Sequence, residues 1–177
     1  MATLHILKSI TFAYNTPEDR ILAAINPGRP EAWSCWLTRR LVLALVSRSQ
    51  EFVANTSPLV QRASVEQRGE LVAFEREAAI VKTAQAMSHT PPEVVKSAVP
   101  TAELAQRVTI ASQGDNLRLE IRGVAWGGAD GTVTRPEFQR ILQMLQQEVI
   151  KSGWLVPPAD PGPAAAPDAA TVKPSRH

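Results

Sequence analysis

The strongest constraint on how this chain folds is that part of its pattern occurs twice. "ITFAYNTPEDRILAAIN", residues 10–26, has a counterpart in "VTIASQGDNLRLEIRG", residues 108–123. Each opens apolar-Thr-apolar-Ala, passes through a polar turn and continues into an alternating segment that contains arginine. Further along, "WLTRRLVLALV" (36–46) and "TVTRPEFQRILQML" (132–145) share an apolar-Thr-Arg step. Aligning Thr38 with Thr134 sets Val42, Leu45 and Val46 against Phe138, Ile141 and Leu142, the spacing of one buried helical face.

Each half therefore reads as strand, turn, strand, a third short strand, then a helix. In the first, Ile6, Ile10, Phe12 and Tyr14 fall on one face of an alternating segment, "NTPED" supplies the turn, and Ile21, Ala23 and Ile25 resume the alternation. "NPGRPE" is a second turn and "AWSCWL" an aromatic-rich third strand. In the second half Val108 and Ile110 lead to the turn "SQGDN". Beyond it Leu117, Leu119 and Ile121 face one way and Arg118, Glu120 and Arg122 the other, a half-buried strand. "GGADG" reads as the loop before the last helix. Thr134 is that helix's N-cap, Pro136 sits in its first turn, and Glu137 completes a capping box.

Between the halves, residues 57–87 are helical in composition. Leu71, Phe74, Ala78 and Val81 form an apolar stripe, with Gly69 as a candidate break. "SHTPPEVVKSAVP" then holds a short helix that starts at Thr90 and Pro91 and ends near Pro100. The expected fold class is α+β: one pseudo-symmetric domain over residues 1–156, made of half one (4–56), a helical connector (57–100) and half two (101–156). Residues 157–177 are rich in Pro and Ala, with Val172 their one large aliphatic, and are expected to form a disordered tail. The order of sheet-then-helix units over residues 4–156 resembles that of single-strand nucleic-acid-binding modules of the Whirly and PUR class. It is a likeness of topology without a shared motif, and topology does not determine function.

Little in the sequence is catalytic. "GGADGTVTRPEF" (127–138) has the look of half an EF-hand loop, but loop positions one, three and five would be Trp126, Gly128 and Asp130, and the segment before them alternates as a strand does, so calcium is not expected. His5, His89 and His177 lack metal-ligand spacing, and zinc is not expected either. Cys35 is the single cysteine, which excludes an intramolecular disulfide, suits a reducing cytoplasmic setting and reads as a small buried hydrophobe. No nucleophile elbow, dinucleotide fingerprint or P-loop occurs. The neighbouring acids of "ERE" (75–77) diverge on a helix. The expectation is no cofactor and no enzyme, with an enzyme of unrecognised type kept as a further alternative.

Two features stand out. Trp33, Trp36 and Trp126 lie in or beside the third strands, as core or as an exposed stacking platform. Arg39 and Arg40 follow the Thr38 cap and Arg135 follows Thr134, although cations at a helix N-terminus oppose its dipole. The leading expectation is a non-catalytic interaction or scaffold protein that self-associates, with no membrane partner. The alternative is a nucleic-acid-binding module in which those tryptophans stack bases and Arg20, Arg39, Arg40, Arg118, Arg122 and Arg135 meet phosphates. The net charge of +2 is too small to argue for nucleic acid on its own. Truncation after Pro157 should leave the melting temperature unchanged in a thermal scan. A drop of several degrees would mean that the tail docks on the body.

Overall fold

A computed structural model describes residues 3–84, 102–125 and 127–155. Among these residues the elements run β1 (Leu4–Ile6), β2 (Ile10–Asn15), β3 (Arg20–Ile25), β4 (Trp33–Thr38), α1 (Arg39–Thr56), α2 (Pro58–Arg62), α3 (Arg68–Ala84), β5 (Glu103–Gln113), β6 (Asn116–Gly123), β7 (Gly128–Thr134) and α4 (Arg135–Ser152). The fold is α+β with one mixed sheet. The short helix expected between Thr90 and Pro100, and the tail from 157 onward, lie outside the described residues.

The seven strands are ordered β1-β7-β6-β5-β4-β3-β2. β2-β3-β4 and β5-β6-β7 are antiparallel meanders. They join through a short parallel contact, Cys35 opposite Glu103 and Trp36 opposite Leu104. β1 closes the far side, parallel to β7. β1 and β2 are thus the two edges of the sheet, yet only Leu7, Lys8 and Ser9 separate them in sequence. A flat sheet of this width would hold its edges roughly 29 Å apart, whereas the four Cα steps from Ile6 to Ile10 span at most about 15 Å. The sheet must curl until its edges meet.

Asn26 holds them there. It lies just past β3, at φ 49°, a left-handed conformation that asparagine tolerates better than most residues, and it is fully buried. Its Oδ1 accepts the N–H groups of Lys8 (2.9 Å) and Ser9 (3.0 Å), and its Nδ2 donates to the Ile6 carbonyl (2.6 Å). Its own N–H bonds to the Ser9 carbonyl at 3.0 Å, while on the other side the Leu7 N–H reaches the Asp130 carbonyl at 2.8 Å. The bend changes the facing of the first segment. Ile6 is exposed, Leu7 is buried, and Ile10, Phe12 and Tyr14 keep the inward face. The single alternating segment expected over 6–14 is therefore two strands with a break in parity.

"GGADG" also differs from its expected role as a loop: Gly128–Thr134 is strand β7, between β6 and β1. Strand statistics disfavour glycine, but here its missing side chain admits the neighbouring backbone. A Cβ on Gly131 would lie 2.7 Å from Leu7 Cβ and 2.8 Å from the Leu7 carbonyl oxygen.

α1 and α4 fill the concave face of the curled sheet. Thr38 Oγ1 accepts the Leu41 N–H (3.3 Å), Thr134 and Glu137 form the capping box, and Gly153 closes α4 at φ 69°. Val42 belongs with Ile21, Ile25, Leu37, Leu119, Ile141 and Leu145 to the main core, and Val53 with Leu117, Phe138 and Leu142 to a second cluster. Leu22 and Ala24 form a smaller cluster on the outer face with Ala13 and Trp36. The connector breaks at Ala63–Gln67 and not at Gly69, which lies in the first turn of α3. Ser57 ends α1, its N–H bonded to the Val53 carbonyl, and its side chain caps α2 through the Val60 N–H (3.2 Å). No helix among the described residues is long and apolar enough to cross a membrane.

If Asn26 holds the edges together, Asn26→Ala leaves three backbone groups without their partner and should lower unfolding free energy by roughly 2–4 kcal/mol in a denaturant titration. A loss below about 0.5 kcal/mol, within the range of a neutral surface change, would show that the sheet closes without it.

Candidate interaction surface

α3 is rich in Ala, Glu and Arg, residues of high helix propensity, and it carries two apolar faces. On one, Ala79 and Thr83 are buried, Arg76 meets the Gln146 side chain of α4, and Glu75 accepts the Ser57 hydroxyl at 2.7 Å. Val72 and Arg76 also line a cleft of about 220 Å³ with Gln50 and Val53 of α1 and Gln139 and Leu142 of α4. This face fastens α3 to the body. The other face holds Leu71, Phe74, Ala78 and Val81, in the 3-4-3 spacing of a heptad seam. Phe74 is 63% and Val81 73% exposed, Ala78 is exposed and Leu71 half-buried. Helical geometry places Glu70 and Glu77 along one flank of this stripe and Lys82 along the other. All three are exposed, and among the described residues none of them takes part in a side-chain hydrogen bond or ion pair.

The strand edges offer less. The outward N–H of Tyr14, on the free side of β2, is held by Glu148 Oε2 of α4 at 2.8 Å. Glu148 is 8% exposed, and Lys151 Nζ lies 2.5 Å from its other oxygen. A covered edge of this kind prevents strand-to-strand pairing with another chain.

The residues singled out from sequence do not converge on one site. Trp33 points to the concave side, where it stacks near His5 with ring centroids 6.4 Å apart and donates Nε1–H to Glu103 Oε1 at 2.9 Å. Trp36, three positions on, takes the opposite face beside Leu22 and Ala24. Trp126 lies outside the described residues. On the outer face Arg118 grips Asp130 through two bonds, Nε to Oδ1 at 2.9 Å and Nη2 to Oδ2 at 2.6 Å. Arg122 pairs with Glu120 at 2.5 Å. Asp130 is held below the usual carboxylate range by that Arg118 contact. Arg20 is half-buried and Arg40 exposed.

Arg39 and Arg135 have a shared explanation. Arg39 Nη2 donates to the Trp154 carbonyl (2.8 Å), just beyond the end of α4. Arg135 donates to the Thr56 carbonyl (2.7 Å) and hydroxyl (3.1 Å), at the last residue of α1. Each cation that opposes its own helix dipole sits at the negative end of the other helix, where a cation is favoured. Glu31, the acid before β4, pairs with Lys8 at 2.8 Å.

Three polar residues escaped sequence reading. Glu103 accepts Trp33 Nε1–H and the Ala125 N–H (2.7 Å) against Gly123, where a Cβ would come within 2.1 Å of the carboxyl carbon. Asp19 Oδ1 accepts both Trp154 Nε1–H (2.6 Å) and the Tyr14 hydroxyl (2.9 Å), and the two rings meet edge to face. Of the three, Glu148 had a local signal that was not taken up, an acid set between the buried positions Leu145 and Val149 of α4. Glu103 carried no local signal, because its partners are distant in sequence, and Asp19 reads only as part of the turn because its Trp154 partner is distant too. Cys35 is buried, and burial pushes its thiol up to about 12, far from the thiolate that nucleophilic chemistry needs. Comparison of the chain with protein-family models, with curated proteins and with solved structures finds no match.

The Asp19 carboxyl is held below its ordinary value of 3.8, first by the Trp154 hydrogen bond, then by Tyr14, with Arg39 nearby. A depressed carboxylate contributes fully above its unfolded pKa and loses that contribution as pH falls through the lower folded value. Asp19→Asn should therefore be less stable than the wild type at pH 7, and the difference should shrink as the solution is taken to pH 3. Denaturation midpoints that differ equally at both pH values would remove Asp19 from the acid response.

Proposed function

We propose that the protein is a non-catalytic interaction or scaffold protein of the cytoplasm that associates with copies of itself through the outward face of α3. The carrying observation is the Leu71-Phe74-Ala78-Val81 stripe, exposed at all but the half-buried Leu71, on a helix whose opposite face is already packed on α4. A lone exposed apolar side chain is ordinary, but a contiguous apolar stripe between charged flanks is the form of a contact surface. Because one flank is acidic and the other carries Lys82, the face is complementary in charge to a second copy of itself, which makes this chain the best-matched occupant. The setting of Cys35 as a buried free thiol suits a reducing compartment.

The reading as a single-strand nucleic-acid binder has less to rest on, since Arg118 and Arg122 hold carboxylates, Arg39 and Arg135 hold helix ends, and Trp33 and Trp36 face opposite sides of the sheet. The same reciprocal placement of Arg39 and Arg135 supports a second part of the proposal, that the β2-β3-β4-α1 and β5-β6-β7-α4 units are two copies of one ancestral plan, set side by side in the sheet.

A seam of about two heptads is shorter than a stable interface requires, so association should be weak, with a dissociation constant on the order of 10–100 µM. Sedimentation velocity across that range should show a concentration-dependent shift that Phe74→Glu abolishes. The variant's circular dichroism should stay unchanged, since Phe74 contributes little to the core. A wild type that stays monomeric throughout would end the proposal.

A further inference from the structure

From the placement of charge about the α3 stripe we infer that two copies of the chain pair through α3 in parallel and in register, each Glu77 facing Lys82 of the other copy. This inference rests on the self-association proposed above and adds the geometry of the partner.

The stripe assigns heptad positions directly. Leu71 and Ala78 occupy a positions, Phe74 and Val81 d positions, Glu70 and Glu77 g positions, and Arg68, Glu75 and Lys82 e positions. Two identical helices packed on this face can be related by a two-fold axis along the helices or across them. An axis along the helices makes the pair parallel and sets the g flank of one against the e flank of the other. An axis across them makes the pair antiparallel and sets like flanks together. In parallel pairs the g side chain meets the e side chain five positions further along the partner. Glu77 then meets Lys82, twice by symmetry. The antiparallel pairing that aligns the same apolar layers sets Glu77 against Glu77 across the axis, with Arg68 beside Lys82. Like charges there repel, and the two arrangements differ in sign at every charged contact that involves Glu77 or Lys82.

One parallel contact is adverse, Glu70 with Glu75. The Glu75 carboxylate, however, accepts the Ser57 hydroxyl at 2.7 Å and is turned toward the body. The seam itself is compatible in size, since the exposed Ala78 leaves room beside the Phe74 layer. α4 lies on the side of α3 opposite the stripe, so a pair on this face stacks as α4-α3-α3-α4.

The orientation can be read by disulfide trapping in the full chain. Cys35 is 0% exposed, so engineered thiols report alone. Leu71→Cys and Val81→Cys are prepared separately, checked by circular dichroism, and oxidised at a concentration where the wild type associates. Parallel pairing predicts that each variant traps itself as a covalent dimer, and that a mixture gives little cross-product. A cross-product from the mixture with neither variant trapping itself would establish the antiparallel pair and overturn the inference. Association without trapping in any combination would overturn it too, by moving the contact away from α3. Failure of the wild type to associate would remove the underlying proposal as well. Lys82→Glu provides a second reading: it should weaken association roughly tenfold at low salt, the scale of two exposed ion pairs replaced by repulsion, and adding Glu77→Lys to the same chain should restore it. A double variant no tighter than Lys82→Glu alone would exclude the parallel pairing.

Discussion

The fold depends on a junction of three residues. Leu7, Lys8 and Ser9 must carry the chain from one edge of a seven-stranded sheet to the other, and such a short segment can do so only if the sheet is rolled. Asn26 makes that roll stable by satisfying, from one buried amide, the backbone groups that a sharp bend would otherwise leave without partners. A buried amide bonded through both its oxygen and its nitrogen is rigid as well as stabilising. Gly131 contributes from the other side by letting the Leu7 backbone come close to β7.

Rolling the sheet decides where everything else goes. A concave face of this curvature accepts two helices, and α1 and α4 lie in it with the start of each against the end of the other. That arrangement turns Arg39 and Arg135 from liabilities at their own helix starts into caps for the neighbouring helix. It also brings α4 along β2, where Glu148 covers the outward amide of Tyr14. With the core closed and that edge covered, α3 lies one layer further from the sheet and keeps Phe74 and Val81 exposed at helical spacing on its outward side. The face proposed for self-association is thus what remains once the rest of the chain has satisfied itself.

Several elements were legible from residues alone. The caps at Thr38 and Thr134, the strands β2, β3, β5 and β6 with their turns, and the buried positions Phe138, Ile141 and Leu142 follow from side-chain period and local hydrogen-bonding chemistry, which act over a few residues. The α3 stripe was legible too, as a helical repeat at 71, 74, 78 and 81. Its direction was not, because Ala79 and Thr83 offer the helix a second, narrower face with small side chains, and only contact with α4 selects between them. The split at Leu7–Ser9 was missed because alternation before and after the bend looks continuous until the partner of each half is known. β7 was missed because glycine reads as a loop wherever the neighbour that requires it is out of sight.

By itself, then, the sequence determined the class of the fold, the α+β alternation, the helix starts and most inward-facing positions, since these depend on interactions spanning one or two turns of chain. Only the tertiary structure decided the closure of the sheet, the antiparallel nesting of α1 and α4, the partners of the arginines and the outward face of α3. Each of those rests on contacts between residues far apart in the chain, Asn26 with Ile6, Arg135 with Thr56, Tyr14 with Glu148. Their pairing is set by the path of the backbone, and the local pattern of side chains carries no record of it.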